Sequence, residues 1–368
     1  MGIISPVPTP MKRPFAPRVL LAWAGVIVAA YLGGSAAEAQ GLPAPHLFAS
    51  LLIGLLLALS GRVRLVIPPT LYFAAQAIAG VVIGTYFSTD ALKAAGNGLV
   101  PLLLVTAATL VISIGGGLLL SRTSGLDRPT STLGLIAGGS AGIVAAANDL
   151  GADARQVAFM QYLRLVLVVL SAPLLVRWVL APSGSYEALG PKEVEAAGSS
   201  LTAVALMALA VIAGAWSALR LRIPAGALIG PLVLAALFNA FGWLHGTTPP
   251  ELPREAAFSI IGLQVGLAFT IIAIREIGKL LPQVFAYVLG VVVICGLLAW
   301  LVAATTNVSL LNSYLATTPG GINAILVTAF ASKANTTLVF AVQTLRLFAM
   351  VLIAPALVRW IAPRAPST

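Results

Sequence analysis

Apolar residues fall along this chain in twelve runs, at about 18–34, 43–60, 68–87, 98–121, 131–148 and 157–180, then 199–218, 224–243, 253–273, 281–304, 312–331 and 337–361. Most runs approach the roughly 20 residues that carry a helix across about 30 Å of hydrocarbon. The pattern therefore predicts helices throughout, arranged as six and then six. Only the stretch from Ala181 to Ser200, rich in Pro, Gly, Ser and Glu, reads as a linker. The domain plan is a cytoplasmic tail over 1–17, a membrane repeat over 18–180, a linker over 181–198, a second repeat over 199–362 and a cytoplasmic tail over 363–368.

The two sets of runs are related in sequence. Leu42-Pro43-Ala44 matches Ile223-Pro224-Ala225 at an offset of 181 residues, and Gly80-x-x-x-Gly84 matches Gly262-x-x-x-Gly266 at 182. In the fifth run Gly142-Ile143 matches Gly321-Ile322 at 179. In the sixth, Gln161-Tyr-Leu-Arg164 matches Gln343-Thr-Leu-Arg346 and Ala172-Pro173 matches Ala354-Pro355, both at 182. Ordered matches of this kind indicate an internal duplication.

Equivalent loops differ in charge. The loop after the first run is free of bases in half one and carries Arg220 and Arg222 in half two; after the second run, half one carries Arg62 and Arg64. After the fourth run, half one carries Arg122 and Arg128 against an uncharged loop in half two. Because Lys and Arg mark cytoplasmic loops, the alternation predicts halves of opposite membrane orientation. Inversion requires an odd number of crossings per half, so one run in six must turn back. The fifth is the candidate, since Gly138-Gly139-Ser140-Ala141-Gly142 and Thr317-Thr318-Pro319-Gly320-Gly321 sit at its centres and both sequences break a helix. The expected fold is an all-α polytopic membrane protein with an inverted structural repeat, about ten transmembrane helices and two Gly-rich broken or re-entrant segments. Both termini then lie in the cytoplasm, with fourteen Lys and Arg on that face and five on the other.

Composition agrees with a membrane class: 59% of residues are hydrophobic, 9% are charged and the mean hydropathy is +1.02, against about 25% charged in soluble domains. The net charge of +10 is scattered in ones and twos at run ends, which excludes a nucleic-acid footprint. A single cysteine, Cys295, excludes an internal disulfide, and two histidines make a poor metal set. The segment 11–40 has the look of a cleaved signal peptide, but its counterpart at 201–217 argues for a retained first helix.

Candidate chemistry collects at the two breaks. Backbone that leaves helical geometry at membrane depth must be buried in protein or line a wet cavity, and half-helix ends attract ions of either sign. Gly138, Gly139, Ser140 and Gly142 in half one, and Thr317, Thr318, Pro319, Gly320, Gly321 and Asn323 in half two, are the expected substrate-binding residues. Gln161 with Arg164, and Gln343 with Arg346, each present an amide and a guanidinium on one helix face. Two readings of these pairs stay open: they bind an oxyanion, or they pair with Asp149, Asp153 or carbonyls of the broken segments and hold those segments in place. The glycines likewise serve either a site or close packing. The eleven acidic residues all lie in loops or at run ends, so coupling through a buried carboxylate is not expected.

Leu228-Ile229-Gly230-Pro231, Gly262-Leu-Gln-Val-Gly266, Ala316-Thr-Thr-Pro-Gly-Gly321 and Gln343-Thr-Leu-Arg346 together resemble the membrane AbrB family of duplicated inner-membrane proteins, over about residues 18–362. Half one departs from that pattern, with Phe48-Ala49-Ser50 in place of Ile229-Gly230-Pro231. The resemblance implies either regulation of gene expression or an ammonia monooxygenase. No cytoplasmic segment is long enough for a DNA-binding domain, so a regulatory effect would be indirect. His46, His245 and Cys295 are too dispersed for a metal-dependent oxidase. The plan also resembles inverted-repeat secondary transporters. The expectation is a non-enzymatic secondary transporter or exporter of a small solute, anionic on the first reading of the Gln-Arg pairs, in the inner membrane, with a membrane-embedded sensor or regulator as the alternative. No cofactor and no metal are expected. Its partners are the lipid bilayer, a small solute and, as an option, further copies of itself, with no direct nucleic-acid contact.

Overall fold

The computed structural model describes residues 17–361 without 62–64, 86–95, 176–200 and 269–277, most of 137–149, and the loop positions 41, 43, 222, 224, 245, 246 and 248. Among the described residues there are thirteen α-helices, one 3-10 turn over Gly278–Leu280 and no strand. In the first half these are α1 (Pro17–Ala39), α2 (Pro45–Ser60), α3 (Pro69–Gly84), α4 (Gly96–Ser124), α5 (Arg128–Leu135) and α6 (Ala154–Leu175). In the second they are α7 (Leu201–Arg220), α8 (Gly226–Ala240), α9 (Glu251–Leu267), α10 (Leu281–Thr305), α11 (Leu310–Thr317), α12 (Ile322–Ala331) and α13 (Thr336–Ile361).

The protein is a multi-pass membrane protein. Four segments are long and apolar enough to cross a bilayer: Val100–Ser124, Ala154–Ser171, Leu201–Arg220 and Leu281–Thr305. Their outward faces carry side chains that water would not tolerate in such number, among them Val111, Ile212, Trp216 and Leu297, each more than 60% exposed. The helices α2, α3, α8 and α9 are shorter, at 15 to 17 residues, and more buried.

Local structure repeats with the sequence. Ala44 and Ala225 both adopt φ of 54° and open α2 and α8 from a left-handed turn, a conformation that costs an L-residue roughly 1–2 kcal/mol. In both halves the turn is closed by the same bond, Leu42 N–H to Ala37 O and Ile223 N–H to Ala218 O, at 3.0 and 2.9 Å. Proline in the first turn starts α2 and α3, where its missing N–H has no partner to lose.

Packing sorts the helices into two bundles, each drawn from both halves. The first comprises α1, α2, α3, α7, α8 and α9. Within it a Cβ on Gly80 or Gly84 of α3 would collide with the carbonyl oxygens of Leu228 or Leu232 of α8, and one on Gly262 or Gly266 of α9 with those of Leu47 or Leu51 of α2. Only glycine permits backbones to approach so closely. Each half thus lends its third helix to the second helix of the other. The rising residue numbers show that α3 runs parallel to α8, and α9 to α2.

The second bundle holds α4, α5, α6 and α10 to α13. Here Thr123, near the C-terminal end of α4, has its hydroxyl 3.2 Å from that of Tyr287 in the second turn of α10, and Gly116 lies against Val291. The helices α4 and α10, equivalent in the repeat, therefore run antiparallel. Between the bundles the packing is thin, through α12 on α3 and α9 and through α6 on α2 and α9.

Candidate functional site

Each half places one eight-residue helix inside the second bundle. Asp127 accepts a 2.7 Å bond from Thr130 N–H to cap α5, and Ser309 accepts a 3.3 Å bond from Asn312 N–H to cap α11. Both helices then stop. The chain turns extended at Ile136 after α5 and at Thr318 after α11, where Pro319 follows and cannot continue the helix. The return helix α12 begins at Ile322 from Gly321, whose backbone is extended and which has no side chain to cap it.

Helix ends leave carbonyls without partners, and inside a bilayer each would be expensive. The Gln-Arg pairs supply the missing donors. Gln161 Nε2 donates to the carbonyls of Leu133 and Ile136 at 2.6 and 2.9 Å, and Arg164 Nη1 donates to Leu135 and Ile136 at 3.4 and 2.6 Å. In half two, Gln343 Nε2 donates to Leu315 and Thr318 at 2.9 and 3.3 Å, and Arg346 Nη1 donates to Thr317 and Thr318 at 3.3 and 2.7 Å. Every one of these acceptors shifts by 182 residues between halves. Arg346 Nη2 adds a 3.1 Å bond to Gly320 O, and in both pairs Nη2 also donates to the glutamine Oε1. Both arginines are only 2% exposed. Each guanidinium neutralises the negative end of a half-helix dipole, and the two arginines interact electrostatically across the halves.

The starts of the short helices are tied down as well. Asp153 N–H donates to Thr130 Oγ1, and Asn335 N–H donates to Asn312 Oδ1, both at 2.8 Å. The start of α13 therefore lies beside the start of α11, so α11 and α12 lead the chain to the break and back. Asp153 Oδ1 and Asn335 Oδ1 in turn cap α6 and α13 through Arg155 N–H and Leu338 N–H.

Of the residues expected to bind substrate, Gln161, Arg164, Thr317, Thr318, Pro319, Gly320, Gly321, Gln343 and Arg346 meet around these breaks. Gly138, Gly139, Ser140 and Gly142 lie outside the described residues, as does Asp149. Thr317 contributes its carbonyl rather than its hydroxyl, which donates to Ser313 O at 2.7 Å within α11. A Cβ on Gly320 or Gly321 would meet Val168 or Leu165 of α6 at 2.8 Å, so the break of half two is wedged against a helix of half one. The packing role weighed for these glycines is thus present at two of them.

Several polar atoms at the break are buried without a partner: Nε of Arg164, Nε of Arg346 and Oδ1 of Asn323. Asn323 Nδ2 is engaged, donating at 3.2 Å to the hydroxyl of Tyr72 on α3, and Tyr162 of α6 lies within electrostatic reach of Tyr72. Tyr72 was not legible as a site residue. The nearest signal is that the repeat has Arg254 at the equivalent position, 182 residues on. No group of three or more metal-ligating side chains occurs among the described residues.

The family model described as "Transition state regulatory protein AbrB" matches residues 46–362. The protein provisionally named regulator AbrB in Escherichia coli (strain K12) is 33% identical over 347 residues, which cover 94% of this chain and 98% of that one. The uncharacterized protein YhjN of Bacillus subtilis (strain 168) is 25% identical over 294 residues, 77% of each chain. Among solved structures, a sodium proton antiporter from Methanocaldococcus jannaschii overlaps 93% of this chain and 98% of its own, at 14% identity and a TM-score of 0.43.

Proposed function

The chain belongs to the AbrB family, and as a multi-pass membrane member of it we propose that it is a secondary transporter or exporter of a small anionic solute. The observation that carries this reading is the pair of orphaned guanidinium donors at the break, Arg164 Nε and Arg346 Nε. A buried polar group without a partner costs about 1–3 kcal/mol, so the place favours water or the oxygens of a solute. The sign of the field comes from the same geometry. Arg346 occupies the negative end of α11, while the positive end of α12 is left without a side-chain cap. No described carboxylate pairs with either buried guanidinium. A carboxylate or phosphate oxygen suits such a site.

The proposed plan is five crossings and one re-entrant hairpin per half, with the halves inverted, both termini cytoplasmic and the protein in the inner membrane. Three relations support it. The equivalent helices α4 and α10 run antiparallel. The third helix of each half runs parallel to the second helix of the other, α3 to α8 and α9 to α2. The chain returns from each break to the level at which it left. With that plan, fourteen bases face the cytoplasm. The thin contact between the two bundles is where one would slide on the other, with the breaks in the bundle that moves.

The test is uptake of radiolabelled acetate, lactate, succinate, citrate and phosphate by liposomes containing the purified protein. We expect saturable flux of at least one. Absence of both flux and thermal stabilisation across the panel, with insertion verified, would refute transport. In that case the regulatory role in the family's description gains ground, with a partner protein as its signature.

A further inference from the structure

The proposed site is built from α6, α11, α12 and α13, all of the second bundle. A hydrogen bond connects it to the other bundle: Tyr72, in the first turn of α3, accepts the 3.2 Å bond from Nδ2 of Asn323, in the first turn of α12. The Oδ1 atom of that amide is buried with no partner. One end of the amide is therefore held by the first bundle, and the other end is left open beside the free N–H groups that begin α12. Exchanging the amide oxygen and nitrogen would not alter this, because one end would still face Tyr72 and the other would still be orphaned.

Among the described residues the repeat offers no equivalent contact. Position 254 of α9, which corresponds to Tyr72, holds an arginine turned toward Glu251 at 3.6 Å. The phenol is thus a feature of one side of the molecule. Under the orientation proposed above it lies on the cytoplasmic side, at the start of α3.

The geometry points to Tyr72 as the first bundle's residue in the solute site: its phenol oxygen holds the place of a solute oxygen on the Asn323 amide, and a carboxylate or hydroxyl oxygen binds by displacing it. This inference rests on the transport reading. Its consequence is mechanical, since the displaced bond is one that ties α12 to the first bundle. Occupying the site and loosening one bundle from the other become the same event. The Tyr72 contact keeps the empty site closed by a factor of about two to twelve, the worth of one neutral hydrogen bond.

The experiment measures access to the break with a small anionic thiol reagent, 2-sulfonatoethyl methanethiosulfonate, on the full-length protein in nanodiscs. Cys295→Ser removes the single native thiol, and Leu165→Cys places a reporter against Gly321. In this background Tyr72→Phe is expected to raise the labelling rate about two- to twelvefold, as is Asn323→Ala, and the double variant no further than the larger single effect. Tyr72→Phe preserves the ring, and its unfolding temperature, measured alongside, should fall by no more than the roughly 1–6 °C that one hydrogen bond is worth. Unchanged rates, additive effects or a reporter inert in every background would overturn the assignment. Increased rates without uptake of any carboxylate or phosphate would leave Tyr72 as the closure of the break and sink the transport reading alone. Uptake with unmoved rates would sink Tyr72 alone.

Discussion

Arg346→Ala separates the two uses of a buried guanidinium. The side chain serves the carbonyls of Thr317, Thr318 and Gly320 and the amide oxygen of Gln343. Thr318 O retains Gln343 Nε2 at 3.3 Å, so the substitution orphans Thr317 O, Gly320 O and Gln343 Oε1. Three buried oxygens at about 1–3 kcal/mol each give a loss of roughly 3–9 kcal/mol. Removing the charge relieves an insertion cost of about 2.5 kcal/mol, leaving a net loss of roughly 0.5–6.5 kcal/mol. At about 2–4 °C per kcal/mol, the unfolding temperature should fall by roughly 1–26 °C, about 10 °C at mid-range. Arg346→Lys keeps the charge, but one ammonium cannot span four separated acceptors, so it should lose about as much stability as the alanine variant. Tryptophan-fluorescence melts in micelles, with membrane insertion checked first, read both. An alanine variant melting within about 1 °C of the parent, or a lysine variant that restores the melt, would show that the charge matters and the fork of bonds does not.

Two further outcomes test the architecture. Gly80→Ala and Gly262→Ala push a methyl group onto the carbonyls of Leu228 and Leu47 and should each cost about 1–3 kcal/mol by overpacking, whereas Gly290→Ala, with open space around it, should leave the melt unmoved. A Gly116→Cys and Val291→Cys pair, in a Cys295→Ser background, should cross-link in native membranes because a Cβ at position 116 comes within 3.8 Å of a Val291 methyl group; failure to cross-link would count against the antiparallel pairing of α4 and α10.

The repeat was legible because duplication preserves spacing, and the spacing reaches down to single bonds. Gln161 and Gln343 each donate to the carbonyls 28 and 25 residues earlier, and Arg164 and Arg346 to those 29 and 28 earlier. What the arginines bond was not legible. Their acceptors are backbone carbonyls, which have no side-chain signature, so a sequence containing Arg164 reads the same whether the guanidinium meets a solute or a helix end. The glycine pairs were similarly half-readable. Gly80-x-x-x-Gly84 announces a close approach but cannot say that the surface approached is the backbone of Leu228 and Leu232 in the opposite half. Tyr72 was hidden for a third reason. Its partner, Asn323, is 251 residues away, and the two meet only because the two bundles do.

The pairs at the breaks bear on the charge of the solute more than on its shape. A helix interrupted at membrane depth offers a negative end and a positive end, and a cation carrier would leave the negative end free for its cargo. Here the described negative ends, at Ile136 and Thr318, are both taken by guanidinium groups. What is left at the breaks is the start of α12 and the unpaired Nε atoms, which are donors, beside one acceptor, Asn323 Oδ1. Because both halves repeat the arrangement, the positive charge is doubled, and the two arginines repel across a medium that screens poorly. On the proposed reading an anion relieves that repulsion when bound and restores it on leaving. The substitution that should therefore bring the site closest to neutrality without emptying it is Arg164→Gln, which keeps hydrogen-bond donors for Leu135 and Ile136 while discarding the charge.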